Sequence, residues 1–424
     1  MITLRKLFIC LLCLAAALSA SAQQKYTPLP PHLDGSMMPF DFTTCTQPPY
    51  LPDSLTPVYA AYVARHGARF LSSPAKLTQI TVALQQARNA GTLSDEGDDF
   101  FTLTDEIRDA NAGNWGDLSP LGFREERKLA DRICGILTPL SRHGVRVNAI
   151  SSFVPRSVMT MYLLMNGIVR HNDTMTVNTD EGLQFDSLVC CFRSDKKYAD
   201  FRKDGDWKPV YDDFFRRTVP TAPARRLFTT TSLSDDELRQ LTFDMYEVLK
   251  ANRAAGLPAP TTRWMSVREY EQCWKASNLL HYLRNTVSPV SHDAAVATTP
   301  LLRRLISDID TAVSNVEPQL VLNGYFGHAE TLLPLLSLIQ LPGCFALPLD
   351  YDNLDKYWKI QDITPLGANL LILISRSESG RFYVAIQLNG RSIKPLRGKP
   401  DVVSWPELRQ YWCDLIDAYA IPSR

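Results

Sequence analysis

An unbroken apolar run of strand length, Val58-Tyr59-Ala60-Ala61-Tyr62-Val63-Ala64, stops abruptly on Arg65-His66-Gly67-Ala68-Arg69. A strand without polar alternation is one covered on both faces, as in a parallel sheet held between helical layers. The pattern recurs: Gln319-Leu320-Val321-Leu322, a glycine-containing turn, then His328-Ala329-Glu330 opening a helix. Apolar strands that feed polar turns and then helices predict an α/β fold, a doubly wound and mostly parallel sheet with helices on both faces. In such sheets the groups that do chemistry gather beyond the carboxyl ends of the strands.

The same alternation is legible elsewhere. Helical patterning covers about 74–90, and the Asp/Gly-rich stretch 91–99 reads as loop. Ser119-Pro120-Leu121-Gly122 opens a helix to about Leu137, with Pro120 suited to its first turn. Val145 to Ile150 alternates as a strand, and Ser151 to Arg156 turns into a helix ending near Arg170. A helix begins around Leu301. Asn369–Ile374 and Phe382–Leu388 flank Glu378-Ser379-Gly380 as a hairpin, and a final helix runs from about Ser404 to Tyr419. Residues 23–56, rich in Pro and Thr, read as a surface wrap.

Between 183 and 285 the pattern becomes helical and charged, with no convincing strand. The domain reading is therefore an α/β body from 23–182 and 286–424, interrupted by an α-helical cap insertion at 183–285. Ten Lys/Arg face six Asp between Arg193 and Arg226. Such runs are ordinarily solvated helix faces; Arg193, Lys196, Lys197 and Lys203 are the candidates for contact with an anionic ligand.

Arg5 and Lys6, an apolar run from Leu7 to Leu18 and Ala20-Ser21-Ala22 together read as a secretory signal over residues 1–22, so export to a periplasm or the medium is expected. That run is too short to span a bilayer. The longer apolar stretch Thr331–Leu349 is broken by Pro334, Pro342, Gly343 and Pro348, and reads as a buried helix, a loop and a strand rather than a membrane insertion. Without the leader, 43 basic residues stand against 45 acidic ones, which gives no footprint for nucleic acid. Seven cysteines remain, an odd number, and no His/Cys cluster has metal-ligand spacing, so no metal or other cofactor is expected.

The two strings carry compatible chemistry. Guanidinium groups bind two phosphate oxygens at once and never lose their charge, which fits Arg65 and Arg69 as a metal-free phosphate clamp around His66. A neutral imidazole there can attack phosphorus and carry the phosphoryl group. Arg142-His143-Gly144-Val145-Arg146 repeats the motif, but lies between a helix and the strand it feeds, at the opposite sheet edge. Arg156, a cation at a helix start, is unfavourable unless an anion binds there, and reads as a third clamp. His328 can donate to phosphate. Glu330, the lone carboxylate of its turn, can protonate a leaving alkoxide, although by itself it would pass for an ordinary helix-start acid. An acidic activity optimum is expected. His32 lies in the N-terminal segment, His171, His281 and His292 read as caps or exposed side chains, and no serine-hydrolase elbow or Walker loop is present.

These residues resemble the histidine phosphatase superfamily in its acid phosphatase and phytase branch: the Arg-His-Gly string, Leu118–Gly122, Ser152 with Arg156, and the distal histidine string fall in family order. His328-Ala329-Glu330, within Phe326–Leu335, and the late Leu388-Asn389-Gly390 are similar to the multiple inositol polyphosphate phosphatase group. The resemblance implies His66 as the phosphorylated nucleophile, Arg65, Arg69, Arg156 and His328 as the phosphate pocket, Glu330 as proton donor and inositol polyphosphates as substrates. A broad-specificity acid phosphatase on the same scaffold is the alternative. Two departures stand out: Phe70-Leu71 follow Arg69 where a proline is usual, and Leu183-Gln184-Phe185-Asp186 matches the insertion pattern only in part.

Overall fold

The computed structural model describes residues 26–45, 51–140, 144–315 and 319–420. Among these residues eight strands form one sheet: β1 (Leu55–Arg65), β2 (Arg146–Ser151), β3 (Thr176–Glu181), β4 (Leu320–Gly327), β5 (Asn369–Ser377), β6 (Phe382–Leu388), β7 (Arg391–Ile393) and β8 (Val402–Ser404). Their order is β3-β2-β4-β1-β5-β6-β7, with β8 on β6. The half that runs β3-β2-β4-β1 is parallel. From β1 outward through β5 and β6 every pairing is antiparallel, so the sheet is mixed rather than mostly parallel. The hairpin expected at β5–β6 is the start of that second half.

Helices of two or more turns are α1 (Ala75–Asn89), α2 (Asp95–Asn111), α3 (Pro120–Leu137), α4 (Pro155–His171), α5 (Lys196–Asp204), α6 (Trp207–Thr218), α7 (Asp235–Leu249), α8 (Val267–Asn285), α9 (Asp293–Val313), α10 (Ala329–Leu338) and α11 (Trp405–Ala420). The β1 run explains how they are arranged. Tyr59, Ala61 and Val63 enter the core formed with α1, α2 and the helices that follow residue 183, while Ala60, Tyr62 and Ala64 enter the core formed with α3 and α4. Successive strand residues point to opposite faces, so an uninterrupted apolar strand needs a helical layer on each.

Residues 183–285 contain helices and no strand among the described residues. Their Trp207, Phe214, Leu238, Tyr246 and Leu279 share one apolar core with the sheet, so this layer is fused to the body instead of carrying a core of its own.

Several local expectations give way to tertiary context. The stretch 91–99 is half helix, because Ser94 caps Gly97 N–H and Asp95, Glu96 and Asp98 favour a helix start. Gly324 does not turn the chain; β4 runs straight through it. After α10 the chain forms turns up to a 3₁₀ segment at Tyr351–Lys356, where a strand was expected. β3 escapes notice in the sequence because, as an edge strand, most of its side chains face solvent. The N-terminal segment is no surface wrap: Leu29, Leu33, Asp34 and Met37 are buried, and Ser36 reaches the site.

One contact fixes the loop after β1. Helix α3 begins against it, with Ser119 capping Gly122 N–H and Ser119 N–H donating to Ala68 O. A Cβ on Gly122 would stand 2.0 Å from the Ala68 carbonyl oxygen. Gly122→Ala is therefore expected to cost about 1–3 kcal/mol, as overpacking against backbone does, measured by denaturant unfolding with no change in slope.

Candidate active site

Three parallel strands end side by side. Arg65 of β1 pairs with Gly327 of β4, and Ser151 of β2 with Phe326 of β4, so His66, Ser152 and His328 emerge together just past the sheet. The His66 peptide extends the ladder: its N–H donates to Gly327 O at 3.2 Å, and its carbonyl accepts from Gly367 N–H at 2.9 Å, just before β5. The nucleophile candidate is thus held by strands on both sides.

The His66 ring is 3.0 Å through Nδ1 from Gly67 O. A carbonyl can only accept, so Nδ1 carries the hydrogen and Nε2 keeps a free lone pair. Burial, with Arg156, Arg65 and Arg69 around it, holds this imidazole far below the ordinary histidine range and therefore neutral in weak acid. The His328 ring stands 5.5 Å away, centroid to centroid, with Nε2 3.2 Å from Ser152 Oγ. Burial and Arg156 push His328 down to about 3.

The guanidiniums are clustered and short of counter-charge. Arg65 Nη1 donates to the carbonyls of Ser36 and Thr364, Arg69 Nη1 to Phe70 O, and Arg156 Nη1 to Gly116 O. The Nε of each is buried without a partner. Burial, with Arg156 and Arg65 as neighbours, brings Arg69 down to about 9, and burial brings Arg65 to about 10. Crowded cations of this kind need an anion among them. Arg156 sits at the second position of α4, where the helix end adds to the demand.

Glu330, in the first turn of α10, faces this cluster: its charge acts on Arg65, Arg69 and Arg156 alike. The six candidates Arg65, His66, Arg69, Arg156, His328 and Glu330 therefore gather in one place. Three of the four candidate contacts from 183–285 do not. Lys196 is paired with Asp200 and Lys197 with Asp293, and both lysines are exposed. Lys203 is exposed, while Arg193 stacks over Phe153 at 4.5 Å and reaches Asp186 and Cys190 Sγ.

Sequence reading overlooked three groups here. Arg202 of α5 donates to Glu330 Oε1 at 3.1 Å, Arg284 of α8 has a buried unpartnered Nε, and His281, expected near the surface, is half-buried with Nε2 3.3 Å from Ser36 Oγ. Only the run of basic residues hinted at Arg202; nothing in its spacing separates it from Lys196 or Lys203. Cys190 and Cys191, side by side next to the site, are both free thiols, and no disulfide occurs among the described residues.

Behind the loop, Glu126 of α3 is buried, and its Oε1 would lie 2.6 Å from a Cβ on Gly67. Burial holds its carboxyl far above the usual range, next to the equally buried Glu125 at about 8. A folded pKa above the unfolded one means that stability declines as pH rises from about 4.5. Glu126→Gln is expected to gain stability relative to the parent progressively from pH 5 to pH 8, followed by thermal unfolding at both.

No group of three or more metal-ligating side chains occurs among the described residues, and none of their helices is long and apolar enough to cross a membrane. At the level of sequence no family model and no curated protein matches the chain. Its fold does find matches. The Bifidobacterium longum multiple inositol polyphosphate phosphatase in complex with inositol hexasulfate superimposes with a TM-score of 0.72 at 15% identity, over 90% of this chain and 97% of that one. Its apo form gives 0.73 at 14% identity, over 89% and 97%. The phytase from D. castellii gives 0.71 at 16%, over 91% and 85%. The chain has the α/β fold of these phosphatases.

Proposed function

We propose that this chain, built on the fold of inositol polyphosphate phosphatases, is an exported phosphomonoesterase that removes phosphate from inositol polyphosphates through a phosphohistidine. The observation that carries the reading is the His66 ring, neutral, with Nδ1 tied to Gly67 O and Nε2 free inside three guanidiniums whose Nε groups lack partners. Charge neutralisation and a fixed nucleophile are the two things that phosphoryl transfer asks of a protein.

In the reaction, Arg65, Arg69, Arg156 and His328 hold the non-bridging oxygens. His66 Nε2 attacks phosphorus in line as the ester P–O bond breaks, and Glu330 gives its proton to the departing alkoxide. Water then attacks the phosphohistidine, its proton passing to the Glu330 carboxylate, and inorganic phosphate leaves with both groups restored. Cations beyond the first clamp, Arg193, Arg202 and Arg284, support a substrate with several phosphates, with the 183–285 layer as its cap; the fold match to a phosphatase holding inositol hexasulfate supports the same class. Export rests on the leader at residues 1–22, which lies outside the described residues.

The test compares kcat/KM for inositol hexakisphosphate with that for a small aryl phosphate. A preference for the former of at least about tenfold, or about 1.4 kcal/mol of transition-state binding, is expected. Equal efficiency would reduce the assignment to a general acid phosphatase. Recovery of the full-length product from the cytoplasm with its leader uncut would refute export.

A further inference from the structure

The side chain of Glu330 meets one cation directly. Arg202 Nη2 lies 3.1 Å from its Oε1, while Arg202 Nε is held by Asn285 Oδ1 at 3.0 Å and its plane lies over the Phe192 ring at 5.1 Å. This contact poses a chemical problem for the proposed function. A general acid must carry a proton, yet a carboxylate gripped by a guanidinium is held ionised. Burial raises Glu330, and the surrounding charges, Arg202 first, bring it well below the usual carboxylate range. A resting site of this kind cannot protonate an alkoxide.

We propose that Arg202 is a substrate-released latch: it holds Glu330 as the carboxylate in the resting site and transfers its Nη donors to a phosphate of the incoming substrate, leaving Glu330 free to take up the proton it later delivers. The inference rests on the phosphatase reading and deepens it. Arg202 qualifies because it is anchored at Nε and by stacking, so that its Nη end can exchange partners without the side chain leaving its place. The exchange balances: a phosphate oxygen replaces the carboxylate oxygen on the guanidinium, and the carboxylate takes up one proton from the buffered solvent, to be given back when product leaves and Arg202 returns. The proton then goes to the alkoxide, and the water that opens the phosphohistidine returns one.

The other groups facing Glu330 act in the same direction. Arg65 and Arg69 from the end of β1, Arg156 of α4 and Arg284 of α8 each feel its charge, and each is satisfied by an anionic phosphate instead. His328 beside it and His281 on α8 are both pushed down to about 3, by burial foremost, and stay neutral in weak acid; the Cys191 thiol and the Tyr198 phenol, raised by burial, stay uncharged. Arg202 is the only one of these with a direct ion pair to Glu330 among the described residues.

The full-length protein is titrated calorimetrically with inositol hexasulfate near pH 5 in two buffers of different protonation enthalpy. Sulfate esters do not titrate there, so proton uptake reports on the protein. Uptake is expected in the wild type and in Arg202→Lys, and a loss of at least half of it in Arg202→Gln and in Glu330→Gln. Uptake unchanged in Glu330→Gln would assign the proton to the histidines and overturn the latch. In kinetics on inositol hexakisphosphate, the alkaline limb of kcat/KM, which reports the free enzyme, is expected to move up by about one pH unit or more in Arg202→Gln, towards that of kcat. Wild-type turnover with unmoved limbs in Arg202→Gln defeats the latch alone. A wild type that neither binds the hexasulfate nor releases phosphate defeats the phosphatase reading, and the latch with it.

Discussion

His66→Ala is expected to abolish turnover, with a fall of at least about 10⁴-fold in kcat on any phosphate ester, in keeping with removal of a covalent nucleophile elsewhere. The rest of the site stays in place in this variant. The His66 peptide is held through its backbone by Gly327 and Gly367, and Arg65 through the Ser36 and Thr364 carbonyls, so the phosphate clamp outlives the ring. The variant should therefore still bind inositol hexasulfate, which separates lost chemistry from lost structure. Rapid denaturation during turnover is expected to trap an acid-labile phosphoryl group on the wild type and none on His66→Ala. His143 offers the same three-residue motif and lies outside the described residues. Gly144 after it has a left-handed φ of +77°, and Arg146 opens β2, six residues upstream of Ser152, at the far end of the strand. Label on His143, or activity in His66→Ala, would overturn the assignment.

The electrostatics of that ring also bear on pH. His66 must be neutral to attack, and burial with three guanidiniums keeps it so well below the usual histidine range. The acid limb of activity therefore lies below the ordinary imidazole value of about 6.5, and a weakly acidic optimum does not starve the nucleophile of its lone pair. On the proposed mechanism, the proton on Glu330 is expected to limit the alkaline side.

Much of the candidate site's clustering was legible because strand ends announce themselves. The apolar residues of β1 and β4 stop on Arg65-His66 and on His328, and sheet topology brings such ends together whatever their separation along the chain. Arg156 could be read because a cation at a helix start is out of place without an anion. Arg202, Arg284 and His281 carry no comparable signal. They sit mid-helix or late in a helix in a charged segment, where helical periodicity says which face is apolar but not which polar residue points inward. The buried Ser36 was hidden for a different reason: Pro30 and Gly35 break periodicity, and what buries the segment is a distant partner, Arg253 paired with Asp34. In the sheet, β3 and the antiparallel half show the same limit. Periodicity marks a strand as two-sided or one-sided but is silent on its direction, and an edge strand with solvent on most of its side chains lacks even that mark.

Glu330→Gln gives the second large effect, and its size depends on what is leaving. The amide keeps the shape and hydrogen-bonding span of the acid but has no proton to deliver, so cleavage of inositol hexakisphosphate, whose leaving group is a ring alkoxide, is expected to slow by about 10²–10⁴-fold. An aryl phosphate expels a phenolate that is stable without protonation, and its first step should fall by no more than about tenfold, the remainder being lost in the second step, where the carboxylate would take the proton from water. The variant should therefore accumulate phosphohistidine on an aryl substrate, seen as a burst of phenol approaching one equivalent followed by slow release, while on inositol hexakisphosphate it should show no burst at all. Arg202 adds a further expectation. With Glu330 neutralised, that guanidinium loses its only carboxylate partner among the described residues and is free for phosphate from the outset, so inositol hexasulfate should bind the amide variant at least as tightly as the wild type while catalysis falls. Equal losses in the first step on both substrates, with no phenol burst, or weaker binding of the hexasulfate, would mean that Glu330 holds the site together and does not move protons in it.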